Sequence, residues 1–314
     1  MTGILTTITT ITPKTTIRRD SDMARRAVCV GINEFATLPM SSWLSGCVND
    51  AHDIAASLRT YGFTGSATTV LCDADATKPA VMGALTTMVG AAKPGDHLMF
   101  SFSSHGTQVP NEPGGDDEAD GLDEAFACHE IARSGDQWSR DTVIVDDELR
   151  ELFGGVPKGV LLEVILDTCH SGTGLKDLDD VMQAALLGRR PRYLPPPTVK
   201  GLSRVREIRA NTAPRTVDRK ALVALTKPRG RATGKPVLYA ACRPAQTASD
   251  ATFEGRSNGA FTYHLLGALH ERPESSRSEL HTAVTARLKR GHFDQRSTLE
   301  GPVAARKVGF GQPW

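Results

Sequence analysis

The sequence predicts an α/β fold built on a mostly parallel sheet. Short apolar, β-branched runs that suit buried strands recur along the chain, and segments with apolar residues three and four apart separate them. Helical connections of that kind join parallel strands. Ala27-Val-Cys-Val-Gly31 reads as the first strand. Residues 50–61 follow as a helix with Asp50, a candidate N-cap, at its start and Gly62 beyond its end. Residues 67–71 form the second strand. Residues 79–91 form a helix with Val81, Leu85, Met88 and Val89 at helical spacing and a proline in the first turn, and residues 96–103 the third strand. A short helix over 145–153 and a fourth strand over 160–166 continue the alternation. After a break, a strand over 236–241, amphipathic helices over 259–269 and 279–290, and a closing strand over 303–310 are expected.

Bulk composition narrows the function classes. Lys+Arg 37 against Asp+Glu 36 leaves a net charge of +1, which gives no global case for nucleic acid or a membrane surface as partner. The six cysteines, at 29, 47, 72, 128, 169 and 242, lack Cys-x-x-Cys spacing, so neither a zinc site nor a stapled scaffold is expected. A reduced, cytoplasmic setting and a monomer are the simplest expectation. No apolar run reaches the roughly 20 residues of a membrane span. Residues 1–24, rich in Thr, read as a leader outside the fold, with Met23 as an alternative start.

Two strand ends carry the chemistry. Leu162-Glu-Val-Ile-Leu-Asp-Thr-Cys169 runs from an apolar strand into a thiol followed by His170-Ser-Gly172, and Leu98-Met-Phe-Ser-Phe-Ser-Ser-His105 runs from another into a His-Gly turn. Ligands in parallel sheets sit beyond such ends. A thiolate is the reactive form of cysteine, and an imidazole beside it both favours that form and can protonate a leaving amine. Gly106 and Gly172 suit close backbone approach to a substrate carbonyl, with N–H groups offered to a developing oxyanion. A free cysteine after a strand is otherwise a small buried hydrophobe. By strand alternation Asp167 shares a side with Cys169, where a carboxylate suits a basic side chain.

Phe102-Ser-Ser-His105-Gly-Thr-Gln108, Asp167-Thr-Cys169-His-Ser-Gly172, Gly46-Cys47-Val-Asn-Asp50-Ala51 and Tyr239-Ala-Ala-Cys242-Arg-Pro-Ala-Gln246-Thr-Ala248 together resemble the caspase-like peptidases, in particular metacaspases and their prokaryotic relatives. The resemblance runs from about residue 26 to the C-terminus. It implies a three-layer αβα sandwich. Residues 25–186 would match the large-subunit region, 187–234 a basic, Pro-containing linker, and 235–314 the small-subunit region. It also implies a cysteine endopeptidase with Cys169 as nucleophile, His105 as base and acid, and the N–H groups of Gly106 and Cys169 as the oxyanion site. Cys47, Asp50, Ser103 and Asp167 would line a pocket for Arg or Lys before the cleaved bond. Thr-Cys-His-Ser-Gly in place of the caspase Gln-Ala-Cys-x-Gly argues against cleavage after Asp. Calcium is implied at Asp123, Asp146 and Asp147, with Lys176 and Asp177 competing for a fourth position. Self-cleavage in the linker would fall at Arg189, Arg190, Arg192, Lys200 or Arg204. Protein or peptide substrates are the implied partners, with no organic cofactor. A catalytically silent scaffold of the same fold, and a Cys–His enzyme acting on a non-peptide acyl group, are the alternative readings; two carboxylates in the pocket weigh against the latter.

Overall fold

The computed structural model describes residues 23–111, 122–169, 188–211, 236–243 and 246–314. The expected leader therefore lies almost wholly outside the described residues. The core is a six-stranded sheet of β1 (Arg25–Gly31), β2 (Thr68–Cys72), β3 (His97–Ser103), β9 (Leu161–Asp167), β11 (Val237–Ala240) and β14 (Thr298–Glu300), in the order β14-β11-β9-β3-β1-β2. Only β14 runs antiparallel. All seven residues of both β3 and β9 are buried, as central parallel strands covered on both faces must be.

Alternate side chains of the strands feed two cores. Val28 and Val30 of β1 join one, which takes in α2 (Lys78–Gly90) and α3 (Asp146–Gly154). Ala27 and Cys29 join the other, with α1 (Cys47–Leu58), α5 (Ala260–Glu271) and α6 (Arg277–Arg290). The result is the expected three-layer αβα sandwich. On the α2 face lies a small antiparallel sheet of β4 (Gly106–Pro110), β5 (Leu122–Ala127) and β8 (Val143–Val145). The two-residue strands β6 (Arg133–Ser134) and β7 (Gln137–Trp138) form a separate pair.

The stretch that reads as a linker is partly built into this body. Among residues 188–211, β10 (Arg190–Pro191) pairs antiparallel with β12 (Ser249–Phe253), and α4 (Val199–Asn211) buries Val205. Residues 212–235 lie outside the described residues. β12 continues into β13 (Arg256–Gly259) through Glu254-Gly255, both with positive φ (51° and 84°), the two-residue turn that matches strand twist. The closing strand expected over 303–310 is not formed. β14 ends before Gly301-Pro302, and Val303–Arg306 is a short helix, α7, because Pro302 cannot donate to a ladder and the two alanines after Val303 favour helix.

Candidate active site

β3 and β9 pair in register with Ser103 opposite Asp167, so the segments that leave their carboxyl ends emerge side by side. One continues through Ser104 and His105 into β4; the other continues to Thr168 and Cys169. His105 is buried, and its Nε2 donates to the Ser42 carbonyl at 2.7 Å. A carbonyl only accepts, so Nε2 carries the hydrogen and Nδ1 holds a lone pair. That Nδ1 is buried and has no hydrogen-bond partner among the described residues. Burial pushes the imidazole pKa down to about 4, so the ring is neutral near pH 7.

The Cys169 thiol does not face solvent. It is fully buried, with Sγ 2.8 Å from the Cys242 sulfur and 3.1 Å from the Gln246 carbonyl oxygen, and it receives the Ala248 N–H. Cys242, Gln246 and Ala248, which all touch the sulfur, account for the burial. Cys242 shares the environment: its hydrogen bond with Cys169 and burial push its thiol pKa up.

The N–H groups of Gly106 and Cys169 converge on one acceptor, the carbonyl oxygen of Arg192, at 3.0 and 3.2 Å. Two backbone donors aimed at one oxygen are the arrangement that stabilises an oxyanion. The Arg192 N–H in turn donates to the Ala248 carbonyl at 2.9 Å, extending the β10–β12 pairing.

The guanidinium of Arg192, fully buried, ends in a pocket of three carboxylates. Its Nη2 lies 2.7 Å from Asp50 and 2.9 Å from Asp250; Nη1 lies 3.3 Å from Asp167 Oδ1 and donates to the Asp167 carbonyl at 3.0 Å. Each carboxylate is also anchored at a helix start. Asp250 accepts from Ser45 and Gly46 ahead of α1, Asp50 from Gly259 ahead of α5, and Asp167 from the Thr262 N–H and hydroxyl in the first turn of α5. Helix N-termini favour negative charge, which lets three acids share one site. The crowding still shows: burial, with Asp167 adding to it, raises Asp50 to about 7 against the pull of Arg192. Burial is offset at Arg192 by the surrounding carboxylates, which hold its pKa above the usual arginine value.

Asp50 is therefore not an N-cap. Gly46 holds that position, and the Asp50 carboxylate reaches across to Gly259 and to the Asn258 amide at 3.0 Å. Cys47 and Ser103 are both buried, Cys47 in the first turn of α1 and Ser103 at the end of β3; burial raises the Cys47 thiol. Of the basic residues read as self-cleavage positions, Arg192 alone enters the pocket. Arg189 donates to the carbonyls of Gly291 and His292, Arg190 to that of Trp43, Lys200 is exposed beside Asp136, and Arg204 is exposed on α4.

The acidic residues read as calcium ligands do not form a ligand set as arranged. Asp123 pairs with Arg140 at 2.6 Å, Asp147 pairs with Arg150, and no group of three or more His, Cys, Asp or Glu side chains among the described residues is placed to hold a metal ion. Asp146 is buried between them with neither oxygen hydrogen-bonded among the described residues. Burial, then the neighbouring Glu124, Asp147 and Asp123, raise its pKa well above the usual carboxylate range. Lys176 and Asp177 lie outside the described residues, as does Gly172.

Sequence reasoning passed over Asp250, Asn258 and Gly259. Asp250 stands two residues beyond the Tyr239–Ala248 motif, which was the available signal. Gly259 had none: a Cβ there would overlap Asp167 Oδ2 and the Arg192 guanidinium, a requirement visible only once the pocket is assembled.

Residues 25–178 match the model of the metacaspase, peptidase C14 domain. Over 296 residues, 88% of this chain, the sequence is 30% identical to a metacaspase-1 of Cryptococcus neoformans and covers 62% of that protein. It is 37% identical over 161 residues, 49% of this chain and 36% of the relative, to metacaspase-7 of Arabidopsis thaliana. The chain thus spans less than two thirds of the length of these relatives. A solved structure of a Geobacter sulfurreducens protein, 26% identical, superposes with a TM-score of 0.62 over 92% of this chain and 98% of that one.

Proposed function

Because the chain belongs to the metacaspase family of cysteine peptidases, we propose that it hydrolyses peptide bonds after Arg or Lys through Cys169 and His105. The observation that carries this reading is the binding of Arg192, whose side chain meets Asp50, Asp167 and Asp250 while its carbonyl oxygen meets the N–H groups of Gly106 and Cys169. A peptide bound in the same way would offer its carbonyl carbon to the Cys169 sulfur. His105 Nδ1 takes the thiol proton, the thiolate attacks, and the two N–H groups hold the oxyanion. The imidazolium then protonates the departing amine, and water hydrolyses the thioester with His105 again as base. Turnover requires the thiol to turn from Cys242 and Gln246 toward the carbonyl.

Three buried carboxylates without a cation would repel one another, and an acidic side chain would add a fourth negative charge. Fluorogenic peptides that differ only at the residue before the scissile bond test the reading. Arg or Lys should exceed Asp in kcat/KM by at least about a hundredfold, since an unpaired or like-charged buried group costs several kcal/mol. Asp50→Asn and Asp250→Asn should each narrow that ratio. Faster turnover of the Asp peptide would refute it.

A further inference from the structure

The geometry points to Cys169 and Cys242 as a peroxide-responsive pair: oxidation joins them in a disulfide that takes the nucleophile out of service, and a dithiol restores it. This rests on the function proposed above for Cys169, and it gives Cys242 a chemical role that hydrolysis does not use.

Strand register brings the two sulfurs together. β9 and β11 run parallel with Leu166 opposite Ala240, and the Ala241 N–H donates to the Leu166 carbonyl at 2.9 Å. Cys169 stands three residues beyond Leu166 and Cys242 two beyond Ala240, so both leave the same end of the sheet, one strand apart. Neighbouring strands lie about 4.8 Å apart, which suits the roughly 4.4–6.8 Å between the Cα atoms of a disulfide. The sulfurs themselves are 2.8 Å apart.

Backbone groups hold them there. The Ala248 N–H donates to Cys169 Sγ, the Cys169 thiol lies 3.1 Å from the Gln246 carbonyl oxygen, and Cys242 donates to the Thr168 carbonyl at 3.6 Å. The other four thiols stand elsewhere: Cys29 within β1, Cys47 in the first turn of α1, Cys72 at the end of β2 and Cys128 just beyond β5. Among the described residues none of these four shares a hydrogen bond with Cys169, so an oxidised Cys169 has one thiol at hand.

The two cysteines divide the chemistry. A thiolate is the species that a peroxide oxidises, and the proton transfer to His105 that prepares Cys169 for a peptide carbonyl prepares it equally for a peroxide. An opening that admits a peptide also admits so small a molecule. The Cys169 thiolate attacks one oxygen of hydrogen peroxide, the O–O bond breaks, and hydroxide leaves with the proton held on His105 as water. Cys169 is then a sulfenic acid. The Cys242 sulfur attacks the Cys169 sulfur, the S–O bond breaks, and the departing hydroxyl takes the Cys242 proton as a second water. Two thiols and one hydrogen peroxide thus give one disulfide and two waters. The new bond fixes the Cys169 sulfur in the orientation from which turnover requires it to turn. It also forestalls further oxidation to the sulfinic acid, which thiols do not reverse. A dithiol reopens the bond by exchange and is itself oxidised to a disulfide.

Excess hydrogen peroxide followed by dithiothreitol tests the pair in the wild-type chain and in Cys242→Ser, with hydrolysis of an Arg peptide expressed relative to the untreated sample of the same protein. Both should lose activity in peroxide. The wild type should return to its starting value, whereas Cys242→Ser should recover less than about a tenth, because its sulfenic acid passes on to acids that thiols do not reduce. Equal recovery of the two proteins overturns the role of Cys242. Peptide mapping of the alkylated, unreduced wild type reads the bond without any activity and without the variant: a Cys169–Cys242 link is expected, and a link to another cysteine, or Cys169 found as a sulfinic or sulfonic acid, overturns the proposal. The expected link in a protein that hydrolyses no Arg or Lys peptide would retain the pair and reject the peptidase reading.

Discussion

His105 shows how one buried side chain can couple chemistry to stability. Its neutral form is set by desolvation, and its tautomer by the single carbonyl of Ser42, which frees Nδ1 for proton transfer. The same desolvation has a thermodynamic sign. Between about pH 4 and 6.5 the unfolded chain binds a proton at this residue and the folded chain does not, so stability is full above pH 6.5 and is lost as the pH falls. His105→Gln should flatten that slope, removing up to about 3 kcal/mol of pH dependence across the window. Denaturant midpoints of the two proteins at pH 4.5 and 7.5 would check this; parallel curves would contradict a buried neutral imidazole.

At the scale of elements, the pocket is made where β3, β9, the start of α1 and the β12–β13 hairpin meet. The hairpin delivers Asp250 at one end and Asn258 and Gly259 at the other, directly ahead of α5. Gly259 has an ordinary φ of −65°, so its need is for space alone, with Asp167 and Arg192 packed against its Cα. Gly259→Ala should therefore raise KM for an Arg peptide by at least about tenfold and cost about 1–3 kcal/mol, the usual range for overpacking a filled site. A variant with normal KM and unchanged Tm would show that the pocket yields. Strands and helices were legible in the sequence because their apolar periods are strong. The hairpin was not, since its residues are polar and its ladder is justified only by the partner that lies on it.

Across the whole molecule, α6 and the C-terminal residues after it are fastened to the sheet by a buried ion cluster remote from the pocket. Glu163 of β9 accepts from Arg277 Nε and the Gly311 N–H at 2.8 and 2.9 Å and contacts His97 Nε2 at 2.9 Å, while Arg277 also reaches the Ala305 and Gln312 carbonyls. Hydrogen bonding and electrostatic attraction from His97 and Arg277 hold Glu163 below the usual carboxylate range despite its burial. Arg277→Met removes the guanidinium and leaves a buried charge under-paired, so unfolding free energy should drop by about 3–5 kcal/mol. Peptide KM in the folded fraction should stay as in wild type, since Arg277 does not touch the cleft. Equilibrium unfolding with kinetics below the transition checks both halves, and an unaltered midpoint would deny the cluster its structural role.

The sequence by itself determined the alternation of strands and helices and the two strand ends bearing His105 and Cys169, because these follow from local periodicity and from short contiguous motifs, while a pocket with Asp50 and Asp167 was implied only by the resemblance those motifs carry. Tertiary structure decided the rest. Only folding brings Asp250 across some two hundred residues to Gly46, buries a thiol that a strand end would leave exposed, spends Asp123 and Asp147 on arginines, and seats Arg192 in the pocket. Each of these depends on which distant group fills the space beside a residue, and a linear pattern carries no record of that neighbour.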